Sequence, residues 1–180
     1  MKRRNFLTKA VATSATLTVL DSQASTEPTQ PFIVKAGKAH KEGVWPLGLL
    51  KVSAKDTNGE FALFESYNGD GPMAGPPLHV HHFQDEFFTI VEGEYVFQVG
   101  DKQIKASAGD TVFGPRKVPH TFYQMSKKGR MIFGYNPAGK IENILGEAAA
   151  KYMPHNAAAF AKACAENDVP FVGPPMNKPE

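Results

Sequence analysis

Four residues with metal-binding side chains lie in two short blocks of the sequence: His79, His81, Glu86 and His120. One residue separates His79 from His81, so on an extended strand both imidazoles point to the same side. Four residues separate His81 from Glu86, which is enough for a turn that returns the carboxylate towards them, and His120 comes from a later strand. Three imidazoles and one carboxylate suit one divalent transition metal (Fe, Mn, Ni, Co, Cu or Zn) and leave coordination positions for small molecules.

The other three histidines are interpreted differently. His82 follows His81 directly, so strand alternation turns it away from the metal-binding side. His40 and His155 lie outside the two blocks. We therefore expect all three to be surface or structural residues.

Short β-type runs, separated by turn residues, fill the chain from residue 32 to residue 136. Thr57-Asn58-Gly59 predicts a hairpin turn between strands at 49–54 and 61–67, and residues 68–77 are expected to form a loop. Three runs predict a meander: 87–91, 95–99 and 103–106. Further strands are expected at 111–113, 121–125 and 131–135. Many short strands at such intervals predict an all-β sandwich or barrel.

The pattern changes after Pro137. Apolar residues recur at helical spacing from Ile141 to Tyr152, and Asn156 is a candidate N-cap for a second helix ending near Asn167. The sequence therefore predicts a C-terminal helical extension, residues 137–180, that packs against the outside or one end of the barrel.

The alternation of side chains also predicts which residues face the candidate metal site. Counting from Glu86 puts Phe88 and Ile90 on its side, and counting from His120 puts Phe122 and Gln124 inward. We take Phe88, Phe122 and Gln124 as candidate substrate-binding residues, and a buried Gln124 needs hydrogen-bond partners. Additional candidates for the pocket wall, most of which are expected only to fill the core, are Phe64, Met73, Phe97, Phe113 and Tyr135.

The first 24 residues resemble a bacterial twin-arginine export signal. Arg3-Arg4 precedes Phe6-Leu7, a mildly apolar stretch follows at residues 10–20, and Ser22-Gln23-Ala24 offers small residues for cleavage after Ala24. The alternatives are a basic tail or a membrane anchor. The apolar stretch is too short, and too rich in Thr and Ser, to form a stable membrane span. We expect a periplasmic or secreted protein, with residues 25–31 as a linker and no membrane span in the mature chain.

Net charge and cysteine content bear on the possible partners and on disulfide formation. Cleavage after Ala24 removes four basic residues and one acidic residue, so the formal charge of +2 becomes −1. A nearly neutral chain gives no electrostatic reason to expect nucleic acid as a partner. Cys164 is the single cysteine, so no disulfide can form within the chain, and we expect it to be a small buried side chain.

The two blocks resemble the two sequence motifs of the cupin superfamily of small β-barrels. The first block reads His-x-His, four residues, Glu, six residues, Gly93, and the second reads Gly109, five residues, Pro115, then a histidine. Lys117 stands where the second motif usually has glycine, and Gln124 where it usually has asparagine. The resemblance covers about residues 44–135, and the C-terminal region is similar to single-domain bacterial cupins labelled quercetin-2,3-dioxygenase-like.

This resemblance implies a double-stranded β-helix, or jelly-roll, barrel at residues 32–136, a metal held by the four residues above, and Glu86 as both ligand and catalytic proton acceptor. The implied activity is a dioxygenase acting with O2 on a flavonol-like or other aromatic, enolisable small molecule. Two alternatives remain open: a non-catalytic metal-binding or small-ligand-binding protein, and a metal-dependent isomerase or hydrolase. Because cupins often dimerise, a homodimer is also open.

Overall fold

The computed structural model describes residues 30–40 and 45–180, so the expected export signal and most of the linker lie outside the described residues. Within the described residues, nine strands form two packed sheets, and the predicted all-β fold with short C-terminal helices is confirmed. The strands are β1 (Leu49–Val52), β2 (Ala62–Asn68), β3 (Met73–Ala74), β4 (Asp85–Glu92), β5 (Glu94–Val99), β6 (Lys102–Ser107), β7 (Thr111–Gly114), β8 (His120–Gln124) and β9 (Gly129–Asn136).

The five-stranded sheet has the order β1-β2-β9-β4-β7, and the four-stranded sheet has the order β3-β8-β5-β6. All neighbouring strands are antiparallel. Inward-facing side chains alternate along the strands, as on β4, where Glu86, Phe88 and Ile90 are buried. The aromatic core between the sheets includes Phe64, which is fully buried against the Phe133 ring at a centroid distance of 5.5 Å.

Two connections between strands are more complex in the structure than the sequence predicted. The hairpin between β1 and β2 is confirmed, although its loop also contains a 3-10 helix (Ala54–Thr57) capped by Ser53. The meander is confirmed only for β5 and β6, because β4 belongs to the other sheet. At Gly93 (φ 95°) the chain passes from one sheet to the other, and a Cβ there would lie 2.5 Å from the Lys128 carbonyl oxygen. A tight hairpin would have kept β4 and β5 side by side, so that part of the prediction is wrong.

The C-terminal region begins with a π-helical segment (Asn143–Ala148) that continues into α1 (Ala149–Tyr152), and α2 spans Ala157–Glu166. The predicted cap of the second helix is confirmed, because the Asn156 side chain accepts a hydrogen bond from the Ala159 N–H at 3.0 Å. Cys164 on α2 is 1% exposed and free, and burial raises the pKa of its thiol to about 12. Within residues 30–40 and 45–180, no helix has the length and apolar character needed to cross a bilayer.

Candidate metal centre

The structure brings the four predicted ligands together at one buried point. Their ligand atoms all lie within 4.8 Å of one another. Glu86 is on β4 and His120 opens β8, while His79 and His81 lie on an extended segment, residues 78–82, that we call the two-histidine segment. This segment is not a regular strand: His79 forms single β-bridges with His120 on one side and Phe171 on the other. The predicted same-side orientation of the two imidazoles is nevertheless present.

One carboxylate oxygen of Glu86 lies at the centre of the group. The distance from Glu86 Oε2 to the Nε2 atom is 2.8 Å for His120, 3.1 Å for His81 and 3.9 Å for His79. The four side chains are between 1% and 7% exposed. Four buried donor atoms this close together form the kind of set that surrounds a single ion.

The outer nitrogen of each imidazole has its own oxygen partner. His79 Nδ1 lies 2.9 Å from the Pro77 carbonyl oxygen, His120 Nδ1 lies 3.0 Å from the Val118 carbonyl oxygen, and His81 Nδ1 lies 3.2 Å from Oε1 of Gln84. These oxygens can only accept, so each Nδ1 carries a proton and donates it. In the neutral imidazole, Nε2 then directs its lone pair towards the centre of the group, as a metal ligand requires.

His81 Nε2 provides a direct test of whether a metal fits. This atom is buried and has no hydrogen-bond partner of acceptable geometry, even though Glu86 Oε2 is 3.1 Å away. A buried nitrogen lone pair facing a carboxylate oxygen is unfavourable unless a cation lies between them. His79, His81, Glu86 and His120 therefore form a group that could bind a metal ion.

The charges in the group favour an ionised glutamate. Burial opposes ionisation of Glu86, but its interactions with the three imidazoles, led by the hydrogen bond from His120, outweigh it and hold the pKa of Glu86 well below its usual value. Burial lowers the pKa of His79. Burial also opposes protonation of His120, but its hydrogen bond with Glu86 raises the pKa of His120 above the usual value. Without metal, His120 can therefore donate protons from both ring nitrogens, and a metal would replace the proton on Nε2.

Sequence reasoning gave no role to Gln84, which orients His81. Its Oε1 accepts from His81 Nδ1, and its Nε2 donates to the Ala138 carbonyl oxygen at 2.5 Å. The side chain is 2% exposed. The available signal was its position two residues before Glu86, because this spacing puts both side chains on the same face of an extended chain.

Tyr135 is the cross-strand neighbour of Glu86, on β9. Its ring centroid lies 5.2 Å from that of His81. Burial, together with the charge of Glu86 and a hydrogen bond with it, raises the pKa of Tyr135 well above its usual value. The neutral Tyr135 hydroxyl thus faces the same carboxylate as the three imidazoles.

A cavity of about 670 Å³ lies beside the group, between the two sheets and the C-terminal helices. All three candidate substrate-binding residues, Phe88, Phe122 and Gln124, line it. Met73 and Tyr135, from the additional candidates, also line the cavity. Phe64 and Phe97 are buried in the core instead, and the inward orientation considered for Phe113 is wrong: Phe113 is 58% exposed. It is the cross-strand partner of Phe87, on the outer face of the five-stranded sheet.

Gln124 is inward, as predicted, with 3% of its surface exposed. Its Oε1 accepts from Asn68 at 3.2 Å and from the Tyr95 hydroxyl at 3.4 Å. Its Nε2 donates to the carbonyl oxygens of Ser126 (2.9 Å) and Lys127 (3.3 Å). The required partners are therefore protein groups that hold the loop after β8, and contact between Gln124 and a substrate stays a prediction.

Lys117 has the backbone conformation of the glycine that it replaces in the second motif. Its φ is 65°, in the left-handed region, and its N–H donates to the His81 carbonyl oxygen at 2.7 Å. The turn that precedes His120 thus also holds the backbone at His81.

Comparison with known proteins agrees with this architecture. Residues 70–134 match the family model described as a cupin domain, and this range includes all four candidate ligands. No curated protein matches the chain. The match, together with the two antiparallel sheets, gives the chain a cupin fold.

Among solved structures, the chain is similar to an RmlC-like cupin from Shewanella frigidimarina, with 20% identity, a TM-score of 0.49, and coverage of 62% of this chain and 96% of that one. It is also similar to KdgF from Halomonas sp. (17% identity, TM-score 0.45, 53% and 84% covered). A third is TT1209 from Thermus thermophilus (22% identity, TM-score 0.40, 44% and 74% covered). Similarity at this level says nothing about the substrate.

Proposed function

We propose that this chain, which carries a cupin domain at residues 70–134, is a metal-dependent dioxygenase acting on a flavonol-like or other aromatic, enolisable small molecule. His79, His81, Glu86 and His120 would hold the metal. A divalent transition metal in that position would lower the pKa of a coordinated substrate hydroxyl and offer open coordination positions.

The observation that carries the proposal is the chemistry of the cavity wall. Most of the lining side chains are apolar or aromatic, and of the described residues that line it, none is lysine or arginine. The acidic residues in the wall are Glu86 and Glu65, and Glu65 already pairs with Lys51 and Arg130. Such a wall favours an uncharged, largely apolar ligand over a sugar phosphate.

Two groups of residues have defined tasks in this proposal. The rings of Phe88 and Phe122, with centroids 6.1 Å apart, present apolar faces to the body of the substrate. Glu86 accepts the proton of the substrate hydroxyl. The lowered pKa of Glu86 keeps the carboxylate ionised at neutral pH but also makes it a weaker base, so the proton transfer would depend on the metal lowering the pKa of the substrate hydroxyl.

The test measures bound metal and oxygen consumption. The purified protein, loaded in turn with Fe, Mn, Co, Ni, Cu and Zn, is mixed with quercetin and with simple catechols in an oxygen electrode. We expect oxygen uptake with at least one metal, and we expect His81→Ala to reduce it to the level of the metal-free protein. His82→Ala is the matched control, because His82 is exposed and should leave uptake unchanged.

Two results would contradict the proposal. Undiminished uptake by His81→Ala would place the reaction elsewhere. A metal-loaded protein that consumes no oxygen with any of these compounds would instead support a binding protein or another metal-dependent reaction.

A further inference from the structure

We infer that residues 168–174, here called the C-terminal segment, position the two-histidine segment, so that metal binding depends on a part of the chain outside the cupin match. The inference rests on the metal site of the proposed function, although not on its dioxygenase activity. The matched residues end at 134, and the C-terminal segment follows α2.

A reversal after α2 brings the C-terminal segment to the site. Asp168 adopts a φ of 69°, in the left-handed region. Its carboxylate pairs with Lys140 Nζ at 2.9 Å, and the Val169 N–H donates to the Cys164 carbonyl oxygen at 2.9 Å. These contacts end the helix and direct the chain along residues 78–82.

Backbone hydrogen bonds then join the two segments in an antiparallel arrangement. The N–H groups of Leu78, Val80 and His82 donate to the carbonyl oxygens of Pro174, Pro170 and Asp168, at 3.0, 3.2 and 3.2 Å. In return, the N–H groups of Val172 and Gly173 donate to the Leu78 carbonyl oxygen at 2.8 and 3.2 Å.

The opposite side of the two-histidine segment pairs with β8. The N–H of His79 donates to the His120 carbonyl oxygen at 3.2 Å, and the reverse bond measures 2.9 Å. With both neighbours present, the two-histidine segment is held as a central strand would be. Without the C-terminal segment, it would be an edge with three unpaired N–H groups, and the positions of two metal ligands would be less restricted.

The C-terminal segment also supplies part of the cavity wall. Phe171 is the bridge partner of His79, so the two side chains lie on the same face. Phe171 and Val169 both line the cavity, and the Phe171 ring packs against Phe160 of α2 at a centroid distance of 6.1 Å. The same seven residues therefore hold the ligands and shape the space beside them.

A single backbone donor can be removed to test the dependence. Val172→Pro eliminates the N–H that donates to Leu78, while Val172→Ala retains it and changes only a side chain that is 52% exposed. Affinity for Co²⁺ and Zn²⁺ is measured by competition with a chelator, and folding by circular dichroism. We expect Val172→Pro to weaken metal binding by about tenfold or more, as loss of groups that orient metal ligands does, and Val172→Ala to match the wild type.

Hydrogen exchange of the unmodified protein provides a second measurement if Val172→Pro does not fold. A segment that favours metal binding must itself be stabilised when metal binds, because the coupling is reciprocal. Addition of Zn²⁺ should therefore slow exchange in residues 168–174 as well as in residues 78–82.

The outcomes separate this inference from the proposed function. A folded Val172→Pro variant with wild-type metal affinity would overturn the inference, as would slowed exchange in 78–82 alone. Absence of metal binding by the wild type would overturn both. Metal binding that depends on Val172, without oxygen uptake, would support the inference and contradict the dioxygenase.

Discussion

At the scale of single residues, the candidate metal site is oriented chiefly by fixed oxygen acceptors. Two of the three imidazoles donate to backbone carbonyl oxygens only two residues earlier, Pro77 for His79 and Val118 for His120. His81 depends on a side chain instead, that of Gln84. Local sequence therefore determines the orientation of two imidazoles. The third, that of His81, is oriented by Gln84, which is itself held by a hydrogen bond to the Ala138 carbonyl oxygen.

This difference explains what the sequence could predict at the site. The choice of candidate ligands follows from residue type and spacing within two short blocks, as it does for His79 and His120. The role of Gln84 depends on the carbonyl of Ala138, 54 residues away, and no local pattern reports a contact of that kind. The position of Tyr135 opposite Glu86 likewise follows from the register of β4 and β9.

Glu65 is a second buried carboxylate whose charge matters for stability. Burial opposes its ionisation, but hydrogen bonds from Lys51, Arg130 and the Gly37 N–H hold its pKa below the usual value. Lys51 Nζ lies 2.8 Å from Glu65 and also donates to the carbonyl oxygens of Lys35 and Lys38. The pair thus fixes residues 35–38 against the five-stranded sheet.

Substitution of Glu65 should have an effect that depends on pH. Because the pKa of Glu65 is lowered in the folded state, its contribution is present above the unfolded value of 4.5 and is lost as pH falls below it. Glu65→Gln should cost about 3 kcal/mol at pH 7, since it removes the carboxylate charge that balances Lys51 and Arg130. The difference from wild type should shrink steadily below pH 4.5. Thermal and urea denaturation across the acidic range up to neutral pH measures it, with exposed Glu92→Gln as the control, and a constant difference would contradict the ion-pair account.

At the scale of elements, the strands could be predicted more reliably than their partners. Apolar alternation and turn residues indicated most strands, but β3 has only two residues and was expected to be loop. Alternation within β4 and β5 is the same whether the two strands share a sheet or not. Whether β5 stays beside β4 or joins the other sheet depends on contacts at the connection between them. One is the turn at Gly93, and another is the hydrogen bond that the Glu94 N–H donates to the Ser126 hydroxyl, in the loop after β8, at 2.9 Å.

The two faces of the five-stranded sheet should respond differently to loss of an aromatic ring. Phe64 is 0% exposed and packs against Trp45, Phe133 and Tyr135, so Phe64→Ala should lower the free energy of unfolding by about 3–5 kcal/mol. Phe113→Ala, on the outer face, should cost about 0.5 kcal/mol. Denaturant unfolding of both variants provides the comparison. Equal losses would show that the outer face is covered in solution.

At the scale of the whole molecule, export through the twin-arginine pathway stays a proposal, because residues 1–24 lie outside the described part of the chain. Expression of the full sequence in a bacterium that has this pathway should deliver a shortened protein to the periplasm. Replacement of both Arg3 and Arg4 by Lys should leave the full-length protein in the cytoplasm, whereas Lys9→Gln, which keeps the arginine pair, should not. Cell fractionation with mass measurement decides this, and periplasmic protein in both variants would argue against the pathway.

The pairing of residues 78–82 with residues 168–174 also has a consequence for biosynthesis. A nascent chain that has emerged only as far as α2 already carries all four candidate metal ligands, but it lacks the backbone partners of Leu78, Val80 and His82. All four candidate ligands are therefore synthesised before the backbone contacts that position two of them can form. In the proposed site, we therefore expect tight binding of the metal only after residues 168–174 have been synthesised and have paired with residues 78–82.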